Sequence, residues 1–170
     1  MLSKFSNKRF ALGFTIVELM VAMAVAAILL GMALPAFNTF IEQRSMTSRV
    51  NDFISAVNLA RSEAINRGGL VSIQAVAPAA SDEWGGGYCV TPGTPGNCNA
   101  SLRDFVGGDG ATIDALGGLN GVNMLTFNGR GLLVLGAQGT IQICEAGINP
   151  GREIAINGIG RASSLEFICP

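Results

Sequence analysis

The sequence predicts an α+β protein, in which one long N-terminal helix packs on a C-terminal antiparallel β domain whose strands form two sheets. Three observations support this prediction: an apolar run from Phe14 to Phe37, an amphipathic pattern that continues it to Arg67, and short apolar segments with Gly- and Asn-rich turns after that. The 170 residues suit one domain with an appended segment. The predicted divisions are residues 1–13, 14–37, 38–68 and 69–170.

Charge separates a basic leader from an acidic remainder. Residues 1–13 contain Lys4, Lys8 and Arg9 and no acidic residue, whereas the rest of the chain contains 8 Arg and 12 acidic residues. The chain has no His, and both of its Lys lie in the leader. Triads, proton shuttles and metal sites built on His are therefore excluded. We predict no enzymatic activity, no cofactor and no metal.

The apolar run between Phe14 and Phe37 has one charged residue, Glu18. Its 24 residues make a helix of roughly 36 Å, enough to cross the ~30 Å hydrocarbon core of a bilayer. The basic residues before the run are expected to stay in the cytoplasm, which places the C-terminal part outside.

Three hypotheses account for this N-terminus: a cleaved secretory signal, a plain membrane anchor, or a leader that is removed while the apolar helix is kept. The small-x-small cleavage sites at Ala22-x-Ala24 and Ala24-x-Ala26 lie in the middle of the apolar run, which disfavours the first. A plain anchor leaves Glu18 unexplained, because an ionisable group inside a span is costly.

Residues 13–18, Gly-Phe-Thr-Ile-Val-Glu, resemble the class III signal of type IV pilins and pseudopilins. The resemblance implies that a prepilin peptidase cuts between Gly13 and Phe14, that Phe14 becomes the N-methylated first residue, and that Glu18 acts in filament assembly. Independently, a carboxylate among apolar helices must be paired or neutral, and the α-amino group of a neighbour's Phe14 is an available partner. A place for Glu18 at the lipid headgroups is the alternative, and it does not exclude the first.

The residues after Phe37 predict an amphipathic helix that stops at Gly68-Gly69. Gly31 and Pro35 mark its expected weak point. The apolar stripe is wider than a coiled-coil seam, which favours packing on the chain's own globular domain over a coiled coil. The stripe comprises Val50, Phe53, Ile54, Val57, Ala60, Ala64 and Ile65.

Short apolar segments after Gly69 predict strands, and Asn128-Gly129 and Asn157-Gly158 predict hairpin turns. Residues 77–118 are rich in Gly, Pro, Ser and Asn and predict long loops. The predicted strands are Leu70–Val76, Tyr88–Val90, Leu102–Val106, Val122–Phe127, Leu132–Leu135, Thr140–Cys144, Arg152–Ile156 and Leu165–Ile168.

Four Cys, all in the part predicted to lie outside, favour two disulfides. Of the three possible pairings, we prefer Cys89 with Cys98, which closes a small loop, and Cys144 with Cys169, which ties down the C-terminus. A four-thiolate zinc site is the disfavoured alternative, because the chain has no CxxC pair and the compartment is oxidising.

Five further segments resemble the GspH/FimT group of minor pilins and pseudopilins, of the FimT or FimU type. The resemblance implies a single-pass inner-membrane protein with a periplasmic domain that later enters a filament. Its implied partners are the prepilin peptidase, major and other minor pilins or pseudopilins, and the inner-membrane assembly platform. The FimT-like ending favours a type IV pilus over the pseudopilus of type II secretion. The segments are Leu59-Ala-Arg-Ser-Glu-Ala-Ile65, Trp84–Val90, Phe127–Gly131, Ile141–Cys144 and Gly151–Arg161.

Some FimT-like pilins contribute to DNA uptake through a C-terminal Gly-Arg-x-Arg motif. Here the motif begins at Gly160-Arg161, but position 163 is Ser. Binding would need a local patch of Arg130, Arg152 and Arg161 in an otherwise acidic chain, so we predict weak DNA binding at most. The alternative is that Arg161 only caps a terminal turn.

Overall fold

The computed structural model describes residues 14–79, 82–107, 110–135 and 138–170. The chain divides into two compact units, one that ends at Phe40 and one that spans Ile41–Pro170. The hydrophobic core lies in the second unit, which contains the C-terminal part of the helix and the strands.

Helix α1, Ile16–Arg67, begins with a side-chain cap. Thr15 Oγ1 accepts a hydrogen bond from the backbone N–H of Glu18 at 3.2 Å, in the Thr-x-x-Glu pattern of a capping box. The helix continues through Gly31 and Pro35, where the sequence predicts a weak point. Within the described part of the chain, no helix is both long enough and apolar enough to cross a membrane.

The C-terminal end of α1 is closed by glycine. Gly68 has a φ of 63° and donates its N–H to the Ile65 carbonyl, and Gly69 donates to the Ala64 carbonyl. These two bonds form a Schellman motif, which needs a residue that tolerates the left-handed conformation. The stop predicted at Gly68-Gly69 is therefore observed.

One face of the second half of α1 is buried in the core of the second unit. The Phe53 ring packs edge-to-face with the rings of Trp84 and Tyr88, with ring centroids 5.5 Å and 5.1 Å apart. The helix thus packs on its own domain, as predicted, and does not use this face for a coiled coil. Ile65, predicted on this stripe, is 49% exposed. The buried residues of the face are Met46, Val50, Phe53, Ala56, Val57, Ala60 and Ala64.

The strands after the helix form two antiparallel sheets, of order β3-β2-β1-β5-β6 and β4-β7-β8-β9. Their bounds are β1 Val71–Ala75, β2 Gly87–Pro92, β3 Arg103–Val106, β4 Ala111–Gly117, β5 Met124–Phe127, β6 Leu133–Leu135, β7 Gly139–Glu145, β8 Ile148–Ile156 and β9 Ala162–Phe167.

The five-stranded sheet is covered on both faces. Val71 and Ile73 of β1 point into the main core, whereas Ser72 between them is fully buried on the opposite face. There the Ser72 hydroxyl is 2.8 Å from the Thr126 hydroxyl and donates to the Gly93 carbonyl at 2.5 Å. Because both faces are covered, buried positions do not alternate with exposed ones along β1 and β2.

The four-stranded sheet has one face in the core and one that is more exposed. Ile141 of β7 pairs with Ile154 of β8, and both are fully buried. Their neighbours Gln142 and Glu153 pair on the other face, where Gln142 Nε2 donates to Glu153 Oε2 at 3.0 Å. This alternation is typical of an antiparallel sheet covered on one side.

One expectation from the sequence is wrong. The sequence predicts long loops over residues 77–118, yet β4 lies within them at Ala111–Gly117. Its sequence, Ala-Thr-Ile-Asp-Ala-Leu-Gly, is short and flanked by Gly, so its local pattern is weak. Seven residue pairs with β7, from Ala111↔Glu145 to Gly117↔Gly139, supply the stability that its local pattern does not indicate.

Candidate functional site

The predicted processing site lies at the start of the described chain. Gly13 lies outside the described residues, and Phe14 precedes the helix with 80% of its surface exposed. Glu18 is exposed in the first helical turn, where a negative charge interacts favourably with the helix dipole. This local role of Glu18 is not among the sequence predictions above, although the Thr15-x-x-Glu18 spacing indicates it.

The first part of α1 is apolar around its whole circumference. Every described side chain from Phe14 to Met32 is exposed in the single chain, and among them only Thr15 and Glu18 are polar. A helix that is apolar on all sides is stable only when surrounded by lipid or by other apolar helices. This segment is therefore a binding surface for an apolar environment.

Two hairpin loops of the β domain share the pattern Asn-Gly-x-Gly and the same geometry. Asn128 Oδ1 accepts the N–H of Leu132 at 3.1 Å, and Asn157 Oδ1 accepts the N–H of Arg161 at 2.8 Å. The residue with positive φ is the second glycine of each loop, Gly131 or Gly160, at 73°. The hairpins predicted at Asn128 and Asn157 are therefore present, with loops longer than two residues.

These two loops lie side by side. A Cβ on Gly160 would come 2.5 Å from Cε1 of Phe127 and 3.5 Å from the Gly131 carbonyl oxygen. A Cβ on Gly131 would come 3.1 Å from Nε of Arg61 on α1. The segments that carry Arg61, Arg130 and Arg161 thus meet around Gly131. We call these three residues the arginine end.

Arg152 is not part of the arginine end. It pairs with Glu166 across β8 and β9, with Nη1 3.1 Å from Oε1, and lies four residues before Ile156, where β8 ends. Four residues of strand span about 13 Å, so Arg152 is well separated from Arg161 along the sheet. The predicted patch of Arg130, Arg152 and Arg161 groups Arg152 with Arg161 because local sequence patterns do not give the register of β8 with β9.

The residue that replaces the second arginine of the family motif lines a shallow groove. Ser163 and Arg161 are both exposed and border a cavity of about 300 Å³ together with Thr140 and Asn157. The backbone of Arg161 closes the loop through Asn157, which leaves its guanidinium at the surface. A cation at position 163 would lie beside this guanidinium.

The β4 edge of the four-stranded sheet is closed by three consecutive residues of the loop between β1 and β2. Asp82 Oδ1 accepts the N–H of Ile113 at 2.7 Å, and the N–H of Trp84 donates to the Ile113 carbonyl at 3.1 Å. Glu83 Oε2 accepts the N–H of Ala115 at 3.0 Å. We call Asp82-Glu83-Trp84 the edge clip, because it ties the loops of one sheet to the edge of the other.

The Glu83 carboxylate of the edge clip is 6% exposed. Burial raises its pKa, but hydrogen bonds from the N–H groups of Ala115 and of Glu83 itself, from Asp114 and from the N–H of Gly121 outweigh it and hold the pKa below its ordinary value. Burial, the hydrogen bond to Glu83 and the repulsion from Glu83 raise the pKa of Asp114. Of the two carboxyl groups, Asp114 therefore binds a proton more readily than Glu83.

Trp84 belongs to the core, as the sequence analysis favoured. Its side chain is fully buried and contacts Phe53 edge-on. Tyr88, which stacks on Phe105 with centroids 5.0 Å apart, is also buried, and burial followed by the charge of Asp52 raises the pKa of its hydroxyl. These rings are packing residues of the core.

The four cysteines form two disulfides, Cys89–Cys98 and Cys144–Cys169, the pairing preferred from the sequence. With all four sulfurs in disulfides, no thiolate remains for a zinc site. A Cβ at Gly151 would overlap Cys169 Sγ. Glycine at this position of β8 therefore leaves room for the C-terminal tail to cross to β7.

Family comparisons agree with both parts of the chain. A model of the prokaryotic N-terminal methylation motif matches residues 8–34, and the model of the type II transport protein GspH matches residues 49–160. The chain belongs to the GspH family of minor pilins and pseudopilins. No curated protein is significantly similar in sequence to this GspH-family pilin.

Two crystal structures of the type IV minor pilin FimU from Pseudomonas aeruginosa are similar to this GspH-family pilin. One is 30% identical, covers 70% of this chain and 91% of the FimU chain, and superposes with a TM-score of 0.59. The other is 29% identical, covers 77% and 92%, and superposes with a TM-score of 0.61. The family and the fold are those of pilin-like structural proteins.

Proposed function

We propose that this chain is a minor pilin of a type IV pilus. In this proposal the apolar helix is held in the inner membrane as a single span, the β domain lies in the periplasm, and the helix later enters the filament core. The observation that carries the proposal is the apolar surface from Phe14 to Met32, which is exposed on all sides and lies within the matched methylation motif. The residues suited to chemistry are scattered, so we infer a structural role and no catalysis.

The proposed maturation removes residues 1–13 and methylates the amino group of Phe14. Cleavage creates a positive amino terminus two residues before the helix begins. In a filament, this amine would pair with the Glu18 carboxylate of a neighbouring subunit, because a charge among apolar helices is stable only when it is paired or neutralised. The prepilin peptidase, other pilins and the inner-membrane assembly platform are the partners that this route requires.

Processing is the direct test of this proposal. Intact mass spectrometry of the chain from cell membranes is expected to show the loss of residues 1–13 and one added methyl group on Phe14. Gly13→Phe is expected to leave more than about nine-tenths of the chain unprocessed, because a bulky residue at the scissile bond blocks the peptidase. Gly13→Ala is the matched control and is expected to be processed. Cleavage after Ala24 or Ala26, or an intact native N-terminus, contradicts the proposal.

The alternative of the same family is a minor pseudopilin of a type II secretion system. The match to the model of the type II transport protein GspH favours the secretion system, whereas the similarity to the type IV minor pilin FimU favours a pilus. Deletion of the gene separates the two. A pilus subunit is expected to change the number of surface pili and twitching motility, with normal release of secreted enzymes. A loss of enzyme release with normal pili would assign the chain to secretion.

Weak DNA binding is a second candidate, favoured by the adjacent loops of the arginine end. Three phosphate contacts from Arg61, Arg130 and Arg161 predict a log–log salt slope of about −3 for duplex DNA. With the full-length chain in detergent, Arg161→Ala is expected to weaken binding, and Ser163→Arg to tighten it. Arg152→Ala is the matched control, because its cation already pairs with Glu166. Tight binding that survives Arg161→Ala contradicts this candidate.

A further inference from the structure

Three of the four sheet edges are protected against pairing with another strand. The edge clip closes β4. Strand β3 has only four residues, two of which are the charged Arg103 and Asp104. Strand β6 has three residues, and its pairing with β5 shifts register between Thr126 and Phe127. Coverage, charge, shortness and irregular register are the devices with which proteins block the addition of a strand.

Strand β9 is neither covered, short nor irregular in register. Its six residues pair with β8 in one continuous register, from Ala162 to Phe167. Ser163, Ser164 and Leu165 in its centre are exposed and uncharged. Its one acidic residue, Glu166, already pairs with Arg152. On its other side, β9 has no strand partner in the part of the chain that the structure describes.

We propose that the open edge of β9 is an interaction surface that takes an extended strand of a different polypeptide chain as the fifth strand of the β4-β7-β8-β9 sheet. The edge presents alternating backbone N–H and C=O groups, and an extended backbone is the ligand that pairs with such a row. All pairs in this sheet are antiparallel, so the added strand runs antiparallel to β9. In the proposed function the added strand belongs to a neighbouring pilin subunit, and to that extent the inference rests on that function.

The side chains along β9 indicate which residue types the added strand needs. Leu165, 61% exposed, and Phe167, half-buried, lie on the same face of the sheet because strand residues alternate. Apolar residues at two alternate positions of the added strand would bury them. Arg161 is exposed at the start of β9 without an ion-pair partner among the described residues. It favours an acidic residue at the C-terminal end of the antiparallel added strand.

A second copy of this chain fits the β9 edge less well. Two antiparallel registers of two β9 strands overlap five residues with continuous sheet faces. One places Ser164 opposite itself and Phe167 opposite Arg161, and the other places Leu165 opposite itself and Phe167 opposite Ser163. In both registers Phe167 meets a polar side chain, so a different chain with apolar residues at alternate positions is the better occupant.

Photo-crosslinking identifies the partner chain and shows the register in which its added strand pairs with β9. Benzoylphenylalanine replaces Ser163 or Leu165 in the full-length chain, in cells that make the other pilins, and the adducts are mapped by peptide mass spectrometry. The two positions are expected to attach to one segment of a different chain, at sites two residues apart and in reverse order. Benzoylphenylalanine at Val106 of β3, which is 96% exposed, is the control and is expected to give no such pattern.

Crosslinking to another protein does not by itself support the inference. Only crosslinked sites two residues apart and in reverse order show that the partner segment is an antiparallel strand. Leu165→Lys is expected to reduce adducts from position 163 at least about fivefold, because a charged side chain blocks an edge, whereas Val134→Lys on β6 is expected to leave them unchanged. No adduct, adducts to a second copy of this chain, or sites without the reversed two-residue spacing overturn the inference.

The same cells separate this inference from the proposed function. Loss of residues 1–13 without patterned adducts refutes strand addition at β9 and leaves the minor-pilin proposal standing. A retained leader contradicts the minor-pilin proposal, whether or not adducts form.

Discussion

The Glu83→Ala variant is expected to unfold roughly 10 °C below the native chain, a loss of about 3 kcal/mol. The carboxylate accepts hydrogen bonds from the N–H groups of Ala115 and Gly121, and Ala115 is fully buried. Removing an acceptor from a buried donor leaves the donor without water or protein to replace it. Because Glu83 belongs to the edge clip, the loss also uncovers the edge of β4.

Thermal unfolding of the full-length chain in detergent measures this loss. Trp84 is the one tryptophan of the sequence, so its fluorescence reports directly on the edge clip. Glu153→Ala is the matched control, since that carboxylate lies half-buried on the sheet and bonds only the Gln142 side chain. The Glu153→Ala variant is expected to lose less than about 1 kcal/mol of unfolding free energy. If the Glu83 and Glu153 variants unfold alike, the edge clip does not hold the two sheets together.

Asp114→Asn is expected to stabilise the domain at neutral pH. The pKa of Asp114 is raised above its ordinary 3.8, so its contribution to stability is present at low pH and is lost as pH rises through the raised value. Glu83 has a lowered pKa, so its contribution is present at neutral pH and is lost as pH falls through that value. Asparagine still donates to Glu83 and removes the repulsion. The gain should therefore shrink as pH falls, and a gain that is constant with pH would contradict this account.

The Glu18→Val variant is expected to insert into the membrane and to enter filaments about tenfold less often than the native chain. Valine makes the helix more apolar, which favours insertion, but it leaves the amino terminus of a neighbouring subunit without its partner. The loss stays partial where the neighbours are major pilins that keep their own acidic residue. The measurement is the ratio of this chain in sheared filaments to this chain in membranes.

Two matched variants separate the charge of Glu18 from its place in the capping box. Glu18→Gln keeps a side chain able to complete the box and removes the charge, so it is expected to fail as Glu18→Val does. Thr15→Ala removes the cap, at a cost of about 1 kcal/mol, and keeps the charge, so it is expected to enter filaments. Normal assembly of the glutamine variant would limit Glu18 to its local role.

Local sequence patterns were sufficient for the features that depend on near neighbours. The Schellman stop at Gly68-Gly69 and the loops that begin at Asn128 and Asn157 are decided within about five residues by backbone geometry. The apolar N-terminal run follows from composition alone, because its burial depends on the surroundings and not on a particular contact. The Thr15 cap also depends only on near neighbours, and the Thr15-x-x-Glu18 spacing is sufficient to predict it.

Long-range strand pairing determined the features that local sequence patterns do not predict. β4 lies in a stretch that resembles a loop, and β7 on one side and the carboxylates of Asp82 and Glu83 on the other hold it as a strand. The register of β8 with β9 separates Arg152 from Arg161 and leaves the β9 edge open. A shift of register changes which side chains meet without changing any local pattern. The register is therefore selected by side-chain packing summed over the whole sheet, and only the tertiary structure shows this packing.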